Sequence, residues 1–451
     1  MITKKVHIIG FGKSGTAAAE LLLANGWEII ISDDNENSSL LEKKTRFESL
    51  SCKVLLGNHK EALREDVDLT VVSPGIRLDS EVVEKRRNQG VRLIGEMELG
   101  WEYLNGEVAA ITGSNGKSTV TALLGQIFSN TGRSAFTAGN IGLPVCDIAL
   151  KTDEYSLISL EVSSFQLMSI ETFQPHVSII TNVTPDHIDW HGGYENYKRA
   201  KANLWSNQTK HDWIVYNADD NVTRDLIVTA NSLRFPFSTN RSLHQGAFIS
   251  DDKMHFANLP GSDGNKNVEL DLDIVKIPGK HNQANALAAI SAALILGITT
   301  EVISKAVSEF EGLPHRLEFV RELDGVDYIN DSKATNTDSG RVALEAMTKP
   351  VVLIAGGRGK GDGYSKLIPT ARGKVKKLVL IGEEARQIED DLGKLAPVVH
   401  RKTLADAINE ARKNSQDGDV VLFSPLATSF DMFANFEDRG DQFRDIVMEL
   451  V

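Results

Sequence analysis

Short apolar runs recur along the chain. Each is closed by glycine or a polar cluster, and most are followed by a stretch of helical periodicity. The first run, residues 6–9, stops at Gly10. A helix is predicted over 15–25 and a second strand over 27–32. A later strand at 69–73 runs into Ser73-Pro74-Gly75. The pattern then repeats with strands at 108–112, 156–161, 177–182 and 213–217, and a helix over 120–128. It repeats again with strands at 351–355, 377–381 and 420–424. Between these sets, residues 238–273 are polar and glycine-containing, with short alternating pieces such as Lys253-Met254-His255-Phe256. They read as hairpins or a surface insertion. Strand and helix alternating in this way predict an α/β fold with mainly parallel sheets. Three units are expected: 1–96, 97–312 and 313–451.

Composition narrows the classes. The 451 residues are enough for about three domains. The net charge of -13, with no Lys/Arg-rich block, argues against a nucleic-acid surface. The two cysteines, Cys52 and Cys146, are far apart and lack metal-ligand spacing, which suits a reducing compartment. The first apolar run is too short for a signal peptide. The longest one, 284–298, is shorter than the ~20 residues that span a bilayer and reads as a buried helix. A cytoplasmic protein without membrane insertion is expected.

The densest chemistry lies in Gly113-Ser114-Asn115-Gly116-Lys117-Ser118-Thr119, between a predicted strand and a predicted helix. Glycines let backbone N–H groups close around an anion. The helix N-terminus and a lysine add favourable field, and the next hydroxyl suits Mg²⁺. A strict phosphate-loop pattern asks for glycine five positions before Gly116, where Ile111 stands. The plainer alternative is a glycine turn before a helix. Gly10-Phe11-Gly12-Lys13-Ser14-Gly15 fits G-x-G-x-x-G, with Asp33 and Asp34 ending the next strand. It suits a dinucleotide, a different nucleotide, or a bare glycine turn. Glu161 and His187 also follow strands of the second unit, where ligands gather in open α/β sheets. Farther on, 279–285, 313–316, 330–336 and 356–361 are polar or glycine-rich runs. They read either as turns and caps or as parts of a site shared between domains.

Taken together, these residues resemble the Mur ligase family of bacterial cell-wall synthesis, over nearly the whole chain. The resemblance rests on 113–119, Glu161-Val162-Ser163-Ser164-Phe165-Gln166, Gly139-Asn140-Ile141-Gly142, Pro185-Asp186-His187 and Tyr197-Lys198-Arg199-Ala200-Lys201. It continues through His281-Asn282 with Asn285, Pro314-His315-Arg316 and the run Asn330 to Asn336. It closes with Ser424-Pro425, Ser429-Phe430-Asp431 and 435–440. The last runs are similar to those of the D-glutamate-adding member.

The family implies three α/β domains, each with a mainly parallel sheet. The N-terminal one is Rossmann-like and binds a UDP-sugar, the central one is a P-loop-like ATPase, and the C-terminal one is Rossmann-like and closes on ATP and the amino acid. It implies an ATP-dependent ligase, a monomer acting on small molecules. ATP would phosphorylate the carboxylate of UDP-N-acetylmuramoyl-L-alanine, and D-glutamate would attack the acyl phosphate. By resemblance, Lys117, His187 and Lys201 are catalytic. ATP is enclosed by Gly113, Ser114, Asn115, Gly116, Lys117, Ser118, Thr119, Asn282, Asn285, His315, Arg316, Asp331 and Lys333. Mg²⁺ falls to Ser118, Glu161, His187 and Lys201, with Lys201 carbamylated. The muramoyl substrate falls to Gly12, Lys13, Ser14, Gly15, Asp33, Gly75, Asn140 and His187. D-glutamate falls to Thr335, Lys360, Ser429, Phe430 and Phe436. Two residues depart from the pattern: Asp34 replaces a small hydroxyl beside the uracil, and Phe430 replaces a frequent leucine near the glutamate pocket.

Overall fold

A computed structural model describes residues 4–259, 266–359 and 363–451. These form two compact units, 1–274 with 284–309, and 275–283 with 310–451.

The first unit carries two sheets. One holds β1 (Lys5–Ile9), β2 (Glu28–Asp33), β3 (Lys53–Leu56), β4 (Leu69–Val72) and β5 (Arg92–Gly95), all parallel, in the order β3-β2-β1-β4-β5. The chain winds outward from β1 to β3, then returns to the other side of β1. That reversal opens a crevice past the carboxyl ends of β1 and β4. Helix Lys13–Ala24 buries Ala17, Ala18, Ala19, Leu21 and Leu22, and these join Val6, Ile8, Ile29, Ile31 and Val71 in one core.

The other sheet holds β6 (Glu107–Thr112), β7 (Ala135–Gly139), β8 (Leu157–Glu161), β9 (Val177–Ile180), β10 (Trp213–Asn217), β11 (Leu233–Ser238), β12 (Gly246–Ser250), β13 (Lys253–Leu259) and β14 (Lys266–Asp271). Their order is β14-β13-β12-β11-β10-β9-β6-β8-β7. Pairing is parallel from β7 across to β12 and antiparallel for β12-β13-β14. The polar stretch therefore does form hairpins, and they extend the sheet edge. The β12-β13 turn uses Asp251 and Asp252 at φ 52° and 56°, as a two-residue turn matched to strand twist demands. The run at 284–298 lies mostly in helix Lys280–Ile295, with Ala286, Leu287, Ile290 and Ala293 fully buried.

The second unit holds β15 (Glu318–Leu323), β16 (Val326–Asn330), β17 (Val351–Gly356), β18 (Val375–Ile381), β19 (Val398–His400) and β20 (Val420–Leu426), in the order β15-β16-β20-β17-β18-β19. Among the described strands of this sheet, only the β15-β16 pair is antiparallel. β17 sits between β20 and β18 with all of its residues buried, which is why it reads as an uninterrupted apolar run. Among the described residues no helix is long and apolar enough to cross a membrane.

Candidate functional site

The glycine loop of the second sheet behaves as its composition predicts. β6 ends at Thr112 and helix Lys117–Ser129 starts at Lys117, with Gly116 as its N-cap at φ 89°. A Cβ on Gly113 would lie 1.9 Å from the Thr181 hydroxyl, and one on Gly116 would lie 2.5 Å from Asn285 Oδ1. Only glycine lets the loop pass that close while holding a positive φ. The loop is pinned from the next strand end. Asn115 N–H donates to Asn182 Oδ1 (2.9 Å), and Asn182 Nδ2 donates back to the Asn115 carbonyl (2.9 Å). The Ser114 hydroxyl donates to the Thr184 carbonyl and lies 2.9 Å from the Tyr197 hydroxyl. Lys117 Nζ folds over the loop onto the carbonyls of Gly113 (2.8 Å) and Ser114 (2.9 Å).

Behind the loop lie two buried ionisable side chains, Lys201 and Glu161. Lys201 is 1% exposed, and its Nζ donates to the Gly113 carbonyl at 2.7 Å. It also stands 4.6 Å from the centre of the Tyr197 ring. Burial, and then the nearby Lys117 charge, push its pKa well below the usual lysine value; Asp186 and Glu161 oppose the shift. Glu161, 1% exposed at the end of β8, accepts from Asn140 Nδ2 through Oε1 (2.7 Å). Its Oε2 is buried and has no hydrogen-bond partner among the described residues. A buried carboxylate oxygen left unpaired is costly, so this atom faces a place that suits a cation. Among the described residues no set of three or more His, Cys, Asp or Glu side chains converges as a complete metal cage.

His187 sits apart from this buried core. It adopts φ 52°, its side chain is 43% exposed, and its ring packs edge-on to Phe165 at 5.0 Å. Phe165 stacks on His191, whose Nε2 lies 2.9 Å from the Ser164 hydroxyl. The His187 backbone is in the left-handed region, which a non-glycine residue enters at a cost.

At the first sheet, the Gly10–Gly15 loop closes on itself. A Cβ on Gly15 would lie 1.9 Å from the Gly10 carbonyl. Gly12, Lys13 and Ser14 form the turn and the first helical residues, and Gly75 lies in the turn after β4 with open space where a Cβ would be. Asp33 is committed to the protein: Oδ2 accepts from the Phe11 N–H (2.8 Å), and Oδ1 accepts from Asn35 N (2.9 Å) and Asn35 Nδ2 (3.0 Å). It braces the glycine loop as much as it offers itself to a ligand.

In the second unit, Asp331 and His315 are brought together around β16. Asp331 is buried, accepts from the Ser424 hydroxyl (2.8 Å) and the Leu317 N–H (3.3 Å), and has a pKa pushed up to about 7 by burial. His315, at φ 62°, donates its N–H to Glu318 (2.7 Å). Its carbonyl accepts from the Lys333 N–H (3.0 Å). Arg316 lies near enough to lower the Asp331 pKa. Lys333 Nζ stands 5.4 Å from the centre of the Phe436 ring. Thr335 N–H donates to the Lys333 carbonyl, Ser429 is buried, and Phe430 is 63% exposed. Asn282 is buried, with Nδ2 on the Pro278 carbonyl. Lys360 lies outside the described residues.

Sequence reasoning gave no role to Tyr197, which bridges the glycine loop and Lys201, or to Arg439. The buried Arg439 guanidinium donates to the Ser332 hydroxyl and carbonyl and to the Ala427 carbonyl. Its partners are more than a hundred positions away or are backbone atoms, so no local pattern marks it.

Comparison with known proteins matches all three segments. Residues 4–95 match the Mur ligase MurD-like N-terminal domain, 111–293 the Mur ligase middle domain, and 315–426 the Mur ligase glutamate ligase domain. The chain is 41% identical to the UDP-N-acetylmuramoylalanine–D-glutamate ligase of Thermoanaerobacter sp. strain X514, over 99% of this chain and 98% of the relative. It is 39% identical to the enzyme of that name from Clostridioides difficile, over 99% of both. Among solved structures, MurF from Acinetobacter baumannii superposes with a TM-score of 0.61 at 20% identity, covering 99% and 94% of the two chains. MurC from Thermotoga maritima gives 0.57 at 21%, covering 98% and 99%. The phosphate-type loop and the likeness along the full chain have one explanation: this chain belongs to the Mur ligase family.

Proposed function

We propose that the chain joins D-glutamate to UDP-N-acetylmuramoyl-L-alanine at the expense of ATP, in cytoplasmic peptidoglycan precursor synthesis. The likeness of at least 39% over 99% of the chain to ligases of that name carries the reading, and the loop at 113–119 supports it. A carboxylate is a poor acylating agent. One of its oxygens attacks the γ-phosphorus of ATP, ADP departs, and an acyl phosphate results. The amine of D-glutamate then adds to the acyl carbon, and the tetrahedral adduct expels phosphate, leaving an amide.

Each residue has a task in that sequence. The loop N–H groups and the start of helix Lys117–Ser129 hold the triphosphate. Lys117, which now rests on loop carbonyls, has a cationic head within reach of an arriving phosphate oxygen, where charge builds during transfer. Ser118, Glu161, His187 and Lys201 would hold Mg²⁺, and the unpaired Glu161 Oε2 fits that assignment. When bound, Mg²⁺ supplies charge neutralisation at the phosphoryl oxygens. Burial and the Lys117 charge lower the Lys201 pKa, which favours the free amine that CO₂ requires as a nucleophile. Carbamylation of Lys201 would exchange an amine for a carboxylate-like group, with loss of one proton, and relieve its repulsion from Lys117. Asn140, oriented by Glu161, and His187 face the muramoyl substrate. Gly12, Lys13, Ser14, Gly15, Asp33 and Gly75 bind its uridine diphosphate part. Asn282, Asn285, His315, Arg316, Asp331 and Lys333 enclose ATP, and Thr335, Lys360, Ser429, Phe430 and Phe436 form the glutamate pocket. In this reading residues 1–96, 97–312 and 313–451 are a UDP-sugar-binding domain, an ATPase domain and an amino-acid-binding domain of a monomer.

The test is release of ADP and phosphate from ATP and Mg²⁺ with UDP-N-acetylmuramoyl-L-alanine and single amino acids. Turnover with D-glutamate and not L-glutamate is expected. Turnover with a different amino acid alone would reassign the specificity and keep the reaction class.

A further inference from the structure

A continuous chain of hydrogen bonds runs through the interior of the first sheet and ends at the surface on Asp34. Its inner end is Arg86, 1% exposed, which donates through Nη atoms to the carbonyls of Ala62 (2.6 Å) and Glu65 (2.9 Å) and to Gln89 Oε1 (2.9 Å). Arg86 Nε donates to His7 Nδ1 at 3.0 Å. His7 Nε2 lies 2.7 Å from Ser32 Oγ, and Ser32 Oγ lies 2.7 Å from His59 Nδ1. His59 Nε2 lies 3.1 Å from Asp34 Oδ1. His7 and Ser32 are fully buried and His59 is 8% exposed, whereas the Asp34 side chain is 73% exposed.

With both imidazole rings neutral, the donors and acceptors in this chain have one consistent order. A guanidinium can only donate, so His7 Nδ1 accepts and its proton sits on Nε2. Burial and the Arg86 charge hold the His7 pKa down to about 3, which keeps the ring neutral. Ser32 therefore receives the His7 Nε2–H, and its single proton goes to His59 Nδ1. That fixes His59 in the tautomer with hydrogen on Nε2, which it donates to Asp34. A fixed donor thus holds one oxygen of an otherwise mobile carboxylate. The other oxygen is left to accept from a ligand.

Asp34 follows β2 directly, next to Asp33, which braces the Gly10–Gly15 loop. It thus stands at the carboxyl end of the sheet, beside the nucleotide crevice. We propose that Arg86, His7, Ser32 and His59 are positioning residues that aim Asp34 as a base-reading acceptor. The base they select carries a ring N–H donor, as uracil does, and cytosine, which presents a ring-nitrogen lone pair, is rejected. The inference rests on the uridine site given above for the first domain. Near the inner end lie Glu65, held by Lys5 and Lys53, and Asp66, which acts on Arg86; at the outer end the adjacent Asp33 is taken up by Phe11 N–H and Asn35.

Binding of UDP and CDP to the full-length protein, without ATP, tests this by calorimetry. The native chain is expected to prefer UDP by about 30-fold or more, since a site built around one hydrogen bond rejects a ligand that cannot make it. Ser32→Ala, which touches no ligand, is expected to cut that preference about fivefold or more, and His59→Ala to do the same from the half-open side. Ser32→Thr keeps the hydroxyl and should restore it. In an Asp34→Ser background, Ser32→Ala should change nothing further. A thermal melt on each variant separates loss of fold from loss of selectivity. A purely structural role would weaken UDP and CDP equally. That outcome, or an unchanged ratio in both Ser32→Ala and His59→Ala, overturns the inference and leaves the uridine site standing. Failure of the native chain to bind UDP at all removes the uridine site and the inference together.

Discussion

Two clusters of buried polar side chains lie in the first compact unit, and they are finished to different degrees. In the chain from Arg86 through His7, Ser32 and His59, each side chain is hydrogen-bonded to the next and the charges are few. Around the 113–119 loop, two lysines approach the same Gly113 carbonyl, and a buried carboxylate oxygen goes unpaired. The first arrangement is complete without a ligand and is suited to holding one group in place. The second has excess positive charge on one side and an open acceptor on the other. It is electrostatically incomplete, as a site for a polyanion with its cation would be.

The contrast predicts different failures. The largest should come from Lys117→Ala, with a loss in kcat/KM for ADP release of about 10³-fold or more, because Lys117 Nζ is the cationic group folded over the loop. A loss under tenfold would remove the lysine from the chemistry. Next, Lys201→Ala should cost about 10²-fold, with partial recovery in acetate or another short carboxylic acid filling the place of the carbamate. Absence of any recovery would count against carbamylation.

The complete cluster should instead show itself in stability. His7 has a folded pKa of about 3 against an ordinary 6.5. Its contribution is present above pH 6.5 and is lost as pH falls toward 3, because the unfolded chain takes up the proton first. Between pH 7 and 4.5, urea unfolding of the native chain should lose about 2 kcal/mol more than that of His7→Gln. Parallel curves would show that His7 does not carry this linkage. The smallest effect should come from Glu161→Gln, which keeps an acceptor for Asn140 and removes the charge. The Mg²⁺ concentration for half-maximal turnover should rise about tenfold; an unchanged requirement would move the metal elsewhere.

Much of this organisation is legible in the chain. Buried parallel strands such as β6, β17 and β20 announce themselves as apolar runs, and the glycines at 113 and 116 mark the turn that follows. Short strands at or near sheet edges, such as β3, β7 and β19, carry mixed residues and give no comparable signal. The polar stretch at 238–273 shows its hairpins through alternation, but its membership of the sheet depends on β11 pairing with β12, which no local pattern encodes. The same limit applies to the sites. Lys117 and Glu161 stand at strand ends and can be found there. Ser32 lies inside an apolar strand, and its partners His7 and His59 are 25 and 27 positions away. Only the fold brings those three together.

The most direct measurement is ADP release with ATP, Mg²⁺ and UDP-N-acetylmuramoyl-L-alanine across a panel of D- and L-amino acids. Turnover with D-glutamate alone is the predicted result. A folded protein that binds ATP and turns over with none of the panel would contradict the account.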